Sequence, residues 1–161
     1  MKTIKQGFSL TEVLIALAIL GILLSLGVSQ LKPPAARTLA ESVRASIQQA
    51  RFSAIKRNRA VAVVFYSDRI ETRINTTSQA TSCDAAATEL IHKLAVKGYG
   101  AAKISKRNSD ASPTSLYWLP SGQARRCTGG FYADTVAVSV NGSVYHVITN
   151  QGVRTRIERV N

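Results

Sequence analysis

An apolar run close to the N-terminus restricts what this chain can fold into more than any other feature. From Phe8 to Val28 the sequence reads FSLTEVLIALAILGILLSLGV, 21 residues in which the only charge is Glu12. As an α-helix rising ~1.5 Å per residue, this run spans about 31 Å, the thickness of the hydrocarbon core of a bilayer. We therefore expect a helix that crosses a membrane.

Three interpretations of this run compete: a cleaved secretory signal, a plain anchor and a specialised membrane helix. A secretory signal has an apolar centre of about 7–15 residues followed by a small-residue cleavage site, and this run is longer. In a plain anchor, a buried carboxylate costs roughly 2.5–3.5 kcal/mol unless it is paired. Glu12 therefore favours a specialised helix in which the carboxylate has a function.

The residues around the start of the run carry a resemblance. Lys5-Gln6-Gly7, then Phe8-Ser9-Leu10-Thr11-Glu12, then the apolar stretch resemble the class III signal of type IV prepilins and type II secretion pseudopilins. In that family a membrane prepilin peptidase cuts after the glycine and methylates the new N-terminus. The resemblance implies cleavage between Gly7 and Phe8 and N-methylation of Phe8. Glu12 would then pair with the terminal amine of a neighbouring subunit during assembly.

This motif sets the expected domain organisation and location. Residues 1–7 are the cleaved leader, 8–32 the transmembrane and assembly helix, and 33–161 the globular head, which includes an amphipathic helix over 35–58. Lys2 and Lys5 place the N-terminus in the cytoplasm by the positive-inside rule. We expect a single-pass inner-membrane protein before assembly, and a periplasmic or extracellular pilus subunit afterwards.

The head begins with helical periodicity and continues with strand patterns. One apolar stripe of the predicted helix consists of Leu39, Val43, Ile47, Ala50 and Ala54. Strand patterns follow over 60–66, 69–74, 89–96, 115–119, 135–140, 144–149 and 153–160, although a short helix over 89–96 also fits. Residues 75–88, 105–113 and 125–130 are predicted to be loops, and Asn141-Gly142 a hairpin turn. This order predicts an α+β protein with a long N-terminal helix packed on a mostly antiparallel sheet.

A helix followed by an antiparallel meander matches the pilin fold, and two segments narrow the family. Leu119-Pro120-Ser121-Gly122 before a basic stretch, and the terminal segment 147–154, VITNQGVR, resemble the GspH/FimT-like minor pilins. The resemblance implies a minor type IV pilin that primes pilus assembly at or near the tip, with other major and minor pilins as partners. A minor pseudopilin of a type II secretion system shares the leader and the fold, and it is the alternative.

The two cysteines, Cys83 and Cys127, lie in separate predicted loops. The expected topology places both outside the cytoplasm, where disulfides form and persist. We predict that they pair. On the chain-entropy model, closing this loop of roughly 45 residues stabilises the head by about 4 kcal/mol.

The chain is strongly basic, with 21 Lys and Arg against 9 Asp and Glu and a net charge of +12. The leader accounts for Lys2 and Lys5, so the excess lies in the head. Arg37, Arg44 and Arg51 recur every seven residues, either as a solvated helix face or as part of a basic binding surface.

The C-terminal arginines are the first candidates for such a surface. Arg154 and Arg156 would share one strand face and project towards a phosphate backbone. FimT-like pilins that capture DNA for natural transformation use an Arg-rich G-R-x-R segment, and Gly152-Val153-Arg154-Thr155-Arg156 resembles it with one inserted residue. The resemblance implies sequence-independent binding of double-stranded DNA, with further candidates in Arg159, Arg125 and Arg126.

The sequence does not favour an enzyme. It contains no P-loop, HExxH, CxxC or nucleophile elbow. His92 and His146 are each solitary in an alternating segment, and such histidines usually serve surface or core packing. We expect no catalytic residue, no metal site and no cofactor.

Overall fold

The computed structural model describes residues 9–30, 35–77, 81–107, 111–150 and 154–160, with the side chains of the first segment described to Leu23. The chain forms two compact units, Met1–Pro33 and Pro34–Asn161, and the second is called the head below. The predictions for Gly7 and Phe8 lie outside the described residues.

The first unit contains helix α1, Leu10–Gln30. It begins after Ser9, whose carbonyl accepts hydrogen bonds from the backbone amides of Glu12 and Val13 at 3.0 and 3.2 Å. Within the described part of the chain, no helix is long and apolar enough to be a candidate for crossing a membrane. Membrane insertion of this region stays a prediction.

Helix α2, Ala35–Arg57, opens the head and ends one residue before the predicted boundary. The predicted apolar stripe is confirmed, because all five of its residues are fully buried. Asn58 stops the helix in a left-handed conformation at φ 51°. The amides of Asn58 and Arg59 return to the carbonyls of Ile55 and Ala54, which is the Schellman arrangement.

Within the described residues, nine strands follow α2 in two antiparallel sheets. The first sheet has the order β3-β2-β1-β5-β6 and the second the order β4-β7-β8-β9. The strands are β1 Val61–Phe65, β2 Arg69–Asn75, β3 Thr88–Ala95, β4 Ala102–Lys106, β5 Leu116–Trp118, β6 Ala124–Arg126, β7 Asp134–Val140, β8 Ser143–Thr149 and β9 Thr155–Val160. Two short 3-10 helices, Ala85–Ala87 and Lys97–Tyr99, flank β3.

The predicted α+β class is confirmed, as is the hairpin of β1 and β2. Residues 89–96 form a strand rather than a short helix. Asn141 and Gly142 join β7 to β8 with φ values of 48° and 81°, the positive pair that a tight hairpin turn requires.

All three predicted loops were wrong in part. Asn75 and Thr88, the ends of the first, belong to β2 and β3. Residues 105–106 belong to β4, and residues 125–126 belong to β6. Both strands are short and carry charged side chains, so their local sequence has little strand character. Pairing with β7 and β5 holds them in the sheets.

The core of the head lies between α2 and the inner faces of both sheets, since α2 contacts strands of each. Its largest fully buried side chains include Trp118, Tyr132, Leu39 and Ile47. The predicted disulfide is present: Cys83 is bonded to Cys127, with 5.8 Å between their Cα atoms. It ties the segment before β3 to the turn after β6.

Candidate functional site

The C-terminal strand β9 is an edge strand of the second sheet. It carries the candidate arginines Arg156 and Arg159, and Arg154 directly precedes it. Thr155 is buried and Ile157 half-buried, whereas Arg154 and Arg156 are exposed. This alternation places Arg154 and Arg156 on the outward face, as the sequence predicts. Asn150 holds Arg154 in place, since its side-chain oxygen accepts a hydrogen bond from the Arg154 amide at 3.0 Å.

Helix α2 supplies a further arginine next to this strand. Arg44 lines an open groove together with Gln48, Ile148, Asn150, Arg154, Thr155 and Arg156. Three guanidinium groups from two distant parts of the chain therefore border one depression. Guanidinium groups bind phosphate oxygens through paired hydrogen bonds, so this groove can hold a phosphate group.

A second groove continues along the same helix and strand. Its lining consists of Arg37, Glu41, Arg44, Tyr145, Thr155, Arg156, Ile157 and Arg159. Two ion pairs lie here, Arg37 with Glu41 and Arg156 with Glu158, each with 3.0 Å between Nε and Oε1. All four side chains are about half exposed or more, so these pairs contribute little to stability and leave both arginines accessible.

Arg125 and Arg126 belong to a different surface. They lie on β6, at an edge of the first sheet, and line neither groove. The guanidinium carbon of Arg125 lies 4.0 Å from the centre of the Phe131 ring, and Arg126 donates a hydrogen bond to the carbonyl of Ala133 at 3.2 Å. The structure thus separates the five candidate arginines into two sets.

The periodic arginines of α2 also separate. Arg37 and Arg44 border the grooves beside β9, whereas Arg51 lies 5.8 Å from the centre of the Trp118 ring. The basic-surface interpretation therefore fits Arg37 and Arg44 but not Arg51. Their seven-residue spacing was visible in the sequence, but which of them faces β9 was not.

His146 lies on the outward face of β8, opposite Glu158 of β9. Partial burial and the nearby positive charge of Arg107 lower the pKa of His146, while Glu158 opposes this shift. The imidazole is therefore neutral at pH 7 and adds no charge to the basic surface.

The second candidate site is the start of α1. Glu12 lies in its first turn and borders an open apolar groove with Val13, Ala16, Leu17 and Leu20. The large apolar side chains of α1 are exposed over consecutive turns, from Leu10 at 77% to Leu23 at 60%. A helix that is apolar on all sides is normally covered by lipid or by other helices.

Comparisons with known proteins agree with these features. Residues 2–28 match the prokaryotic N-terminal methylation motif, and residues 39–153 match the family described as type II transport protein GspH. The chain belongs to the GspH family. This family comprises pilin-like structural subunits of type II secretion systems or type IV pili. The comparison with curated protein sequences gives no match.

A solved structure shares the fold. The minor pseudopilin EpsH from the type 2 secretion system of Vibrio cholerae superposes with a TM-score of 0.56 at 13% identity, covering 77% of this chain and 96% of EpsH. The α+β pilin fold is therefore confirmed. The GspH match ends at residue 153, so the arginines of β9 lie beyond the matched span.

Proposed function

We propose that this chain is a minor type IV pilin that primes pilus assembly and lies at or near the pilus tip. The observation that carries the proposal is α1, whose exposed apolar surface contains a single carboxylate, Glu12, within the residues that match the methylation motif. Cleavage after Gly7 and methylation of Phe8 would leave a terminal cation one helical turn from Glu12. The cation of a neighbouring subunit would then neutralise Glu12 as the helices pack together.

A minor pseudopilin of a type II secretion system is the alternative. The description of the matching family and the fold shared with EpsH favour it. Both proposals require the same prepilin peptidase and the same membrane insertion, and they differ in the neighbouring subunits.

Replacement of Glu12 tests the assembly proposal and separates it from this alternative. In the native host, Glu12→Ala should leave the subunit in the membrane fraction, while its amount in sheared pili and the number of pili fall to the level of a strain lacking the gene. Glu41→Ala is the matched control, because it removes an exposed carboxylate of the head. Normal piliation with Glu12→Ala would overturn the proposal. Normal piliation with impaired protein secretion would establish the alternative.

We further propose that the head binds double-stranded DNA without sequence preference. This second function is supported by the groove in which Arg44 of α2 meets Arg154 and Arg156 of β9. Cations that contact phosphates release condensed counterions, so the binding constant should fall steeply with salt.

The test uses the full chain in a non-ionic detergent and a short duplex of random sequence. Binding at low salt should weaken when Arg154 and Arg156 are both replaced by alanine. If the wild-type chain does not bind DNA at low salt, the DNA-binding proposal is wrong.

A further inference from the structure

A third open groove meets the first one at the end of the second sheet. It is lined by Lys106, Arg107, Ala133, Asp134, Thr135, Ile148, Thr149 and Asn150. Ile148 and Asn150 also line the groove of Arg44, Arg154 and Arg156. Two exposed cations, Lys106 and Arg107, thus lie on one side of Ile148 and Asn150. Three more, Arg44, Arg154 and Arg156, lie on the other side.

The strand pairing explains how residues so distant in sequence come together. The Arg107 amide donates a hydrogen bond to the carbonyl of Thr135 at 3.3 Å. Thr135 pairs with Ile148, and Ile148 pairs with Arg156. Arg107 and Arg156 therefore lie in one row across four strands. At ~4.8 Å per strand, about 14 Å separate the two outer positions.

We infer that these two grooves form one trough that binds the phosphate backbone of duplex DNA. Lys106 and Arg107 form one bank, and Arg44, Arg154 and Arg156 form the other. The inference rests on the proposed DNA binding and assigns it two further residues, Lys106 at the end of β4 and Arg107 directly after it. Duplex DNA carries one negative charge per ~1.7 Å of its axis, so cations spread over about 14 Å can face several phosphates at once.

The acidic groups near the trough do not cancel this charge. Asp134 lines the side of Lys106 and Arg107, and its carboxylate accepts a hydrogen bond from the Thr135 amide at 2.8 Å. Glu158 pairs with Arg156 at the other bank. The five cations therefore outnumber these two carboxylates, and the net charge of the trough is positive.

The shape of the site favours DNA over an anionic membrane. The cations stand on two sides of a depression whose floor contains the half-buried Ile148. One phosphate backbone of a duplex forms a raised ridge that can contact the cations on both sides of this depression, whereas a flat bilayer surface would reach only its rims.

The inference is tested by removing the charges of the newly assigned residues, Lys106 and Arg107. The full chain in non-ionic detergent is titrated with a fluorescent random-sequence duplex at several NaCl concentrations. Lys106→Ala with Arg107→Ala should weaken binding at low salt. It should also reduce the slope of log K against log salt by about 0.9 for each phosphate that the variant no longer neutralises.

Lys93→Ala with Lys97→Ala is the matched control, since it removes two exposed charges from β3 and the adjacent 3-10 helix. This control should leave the slope unchanged. Thermal unfolding of each variant, monitored by circular dichroism, should match that of the wild type because all four side chains are exposed.

The possible outcomes distinguish a failure of this inference from a failure of the proposed DNA binding. If the wild type binds DNA and the Lys106 and Arg107 variant behaves like the control, the trough is wrong while DNA binding stands. If the wild type does not bind DNA, the proposed DNA binding fails and the inference fails with it. If phosphatidylglycerol mixed into the detergent micelles displaces the duplex at equal phosphate concentration, an anionic lipid surface is the better ligand and the inference is overturned.

Discussion

The large apolar side chains of α1 are exposed from Leu10 to Leu23, whereas most of those in the head are buried between one helix and two sheets. The carboxylates show the same contrast. Within the described residues Glu12 has no ion-pair partner, while Glu71 of the head is held between Arg69 and Arg73 at 2.7 and 2.9 Å. The head thus has its own apolar core and a buried carboxylate paired within the chain. The exposed apolar side chains and the unpaired carboxylate of α1 are what the proposed assembly through this helix requires.

A matched pair of leucines gives the largest expected effect. Leu39 is fully buried, whereas Leu14 is 57% exposed. Leu39→Ala should therefore destabilise the head by about 2–5 kcal/mol, because it removes apolar packing and leaves a cavity. Leu14→Ala should leave the unfolding of the head unchanged. Urea denaturation followed by Trp118 fluorescence measures both, and equal effects would remove the contrast between the two units.

The contrast between the carboxylates of Glu71 and Glu12 gives the second-largest expected effect on the stability of the head. Hydrogen bonds from Arg69, and then from Arg73, hold the pKa of Glu71 below its usual value. The stabilisation of the folded head by these hydrogen bonds is therefore present above the unfolded-state pKa of Glu71, near 4.3. It is lost as the pH falls through the lower folded-state pKa. Glu71→Gln should cost about 1.5–3 kcal/mol at pH 7, the range for hydrogen bonds to a charged group.

The same denaturation experiment, repeated from pH 7 down to pH 3, checks this sign. The loss of stability in acid should be smaller for Glu71→Gln than for the wild type. Glu12→Gln is the counterpart in α1 and should not change the stability of the head at either pH. If Glu71→Gln loses as much stability between pH 7 and pH 3 as the wild type does, the ion pairs of Glu71 do not account for the acid dependence.

A pair of glycines gives the smallest effect. Gly122 has φ +79°, and an added Cβ would lie 3.5 Å from the Arg51 guanidinium and from Ile55 Cδ1. Because L-residues rarely adopt this φ, Gly122→Ala should destabilise the head by about 1 kcal/mol. Gly21→Ala in α1 meets nothing within 4 Å and should leave the head unchanged. Thermal unfolding distinguishes the two variants. An unchanged melting temperature for Gly122→Ala would show that the turn accommodates the added Cβ without strain.

Much of the head follows from local patterns. The stripe from Leu39 to Ala54 and the Asn141-Gly142 turn are local signals, so helix α2 and the hairpin of β7 and β8 were predictable. Strands β4 and β6 were missed because they are short and carry charged residues, and distant strands stabilise them.

The candidate site divides in the same way. The shared face of Arg154 and Arg156 follows from the two-residue repeat of a strand, and it was predicted. The approach of Arg44 and Arg107 to these residues depends on helix packing and on the order of the second sheet, which no local pattern contains. The distance of Arg125 and Arg126 from this surface has the same origin.

The sequence by itself therefore determined the leader motif, the apolar helix with its single carboxylate, and the change from helix to strands. Each of these is encoded in residues close together along the chain. Only the tertiary structure decided which cations share a surface, because charges from α2, β4 and β9 meet through packing and strand pairing across more than a hundred residues. The net charge of +12 is a property of the whole sequence, whereas the structure shows that five of its cations border two adjoining grooves at one end of the second sheet.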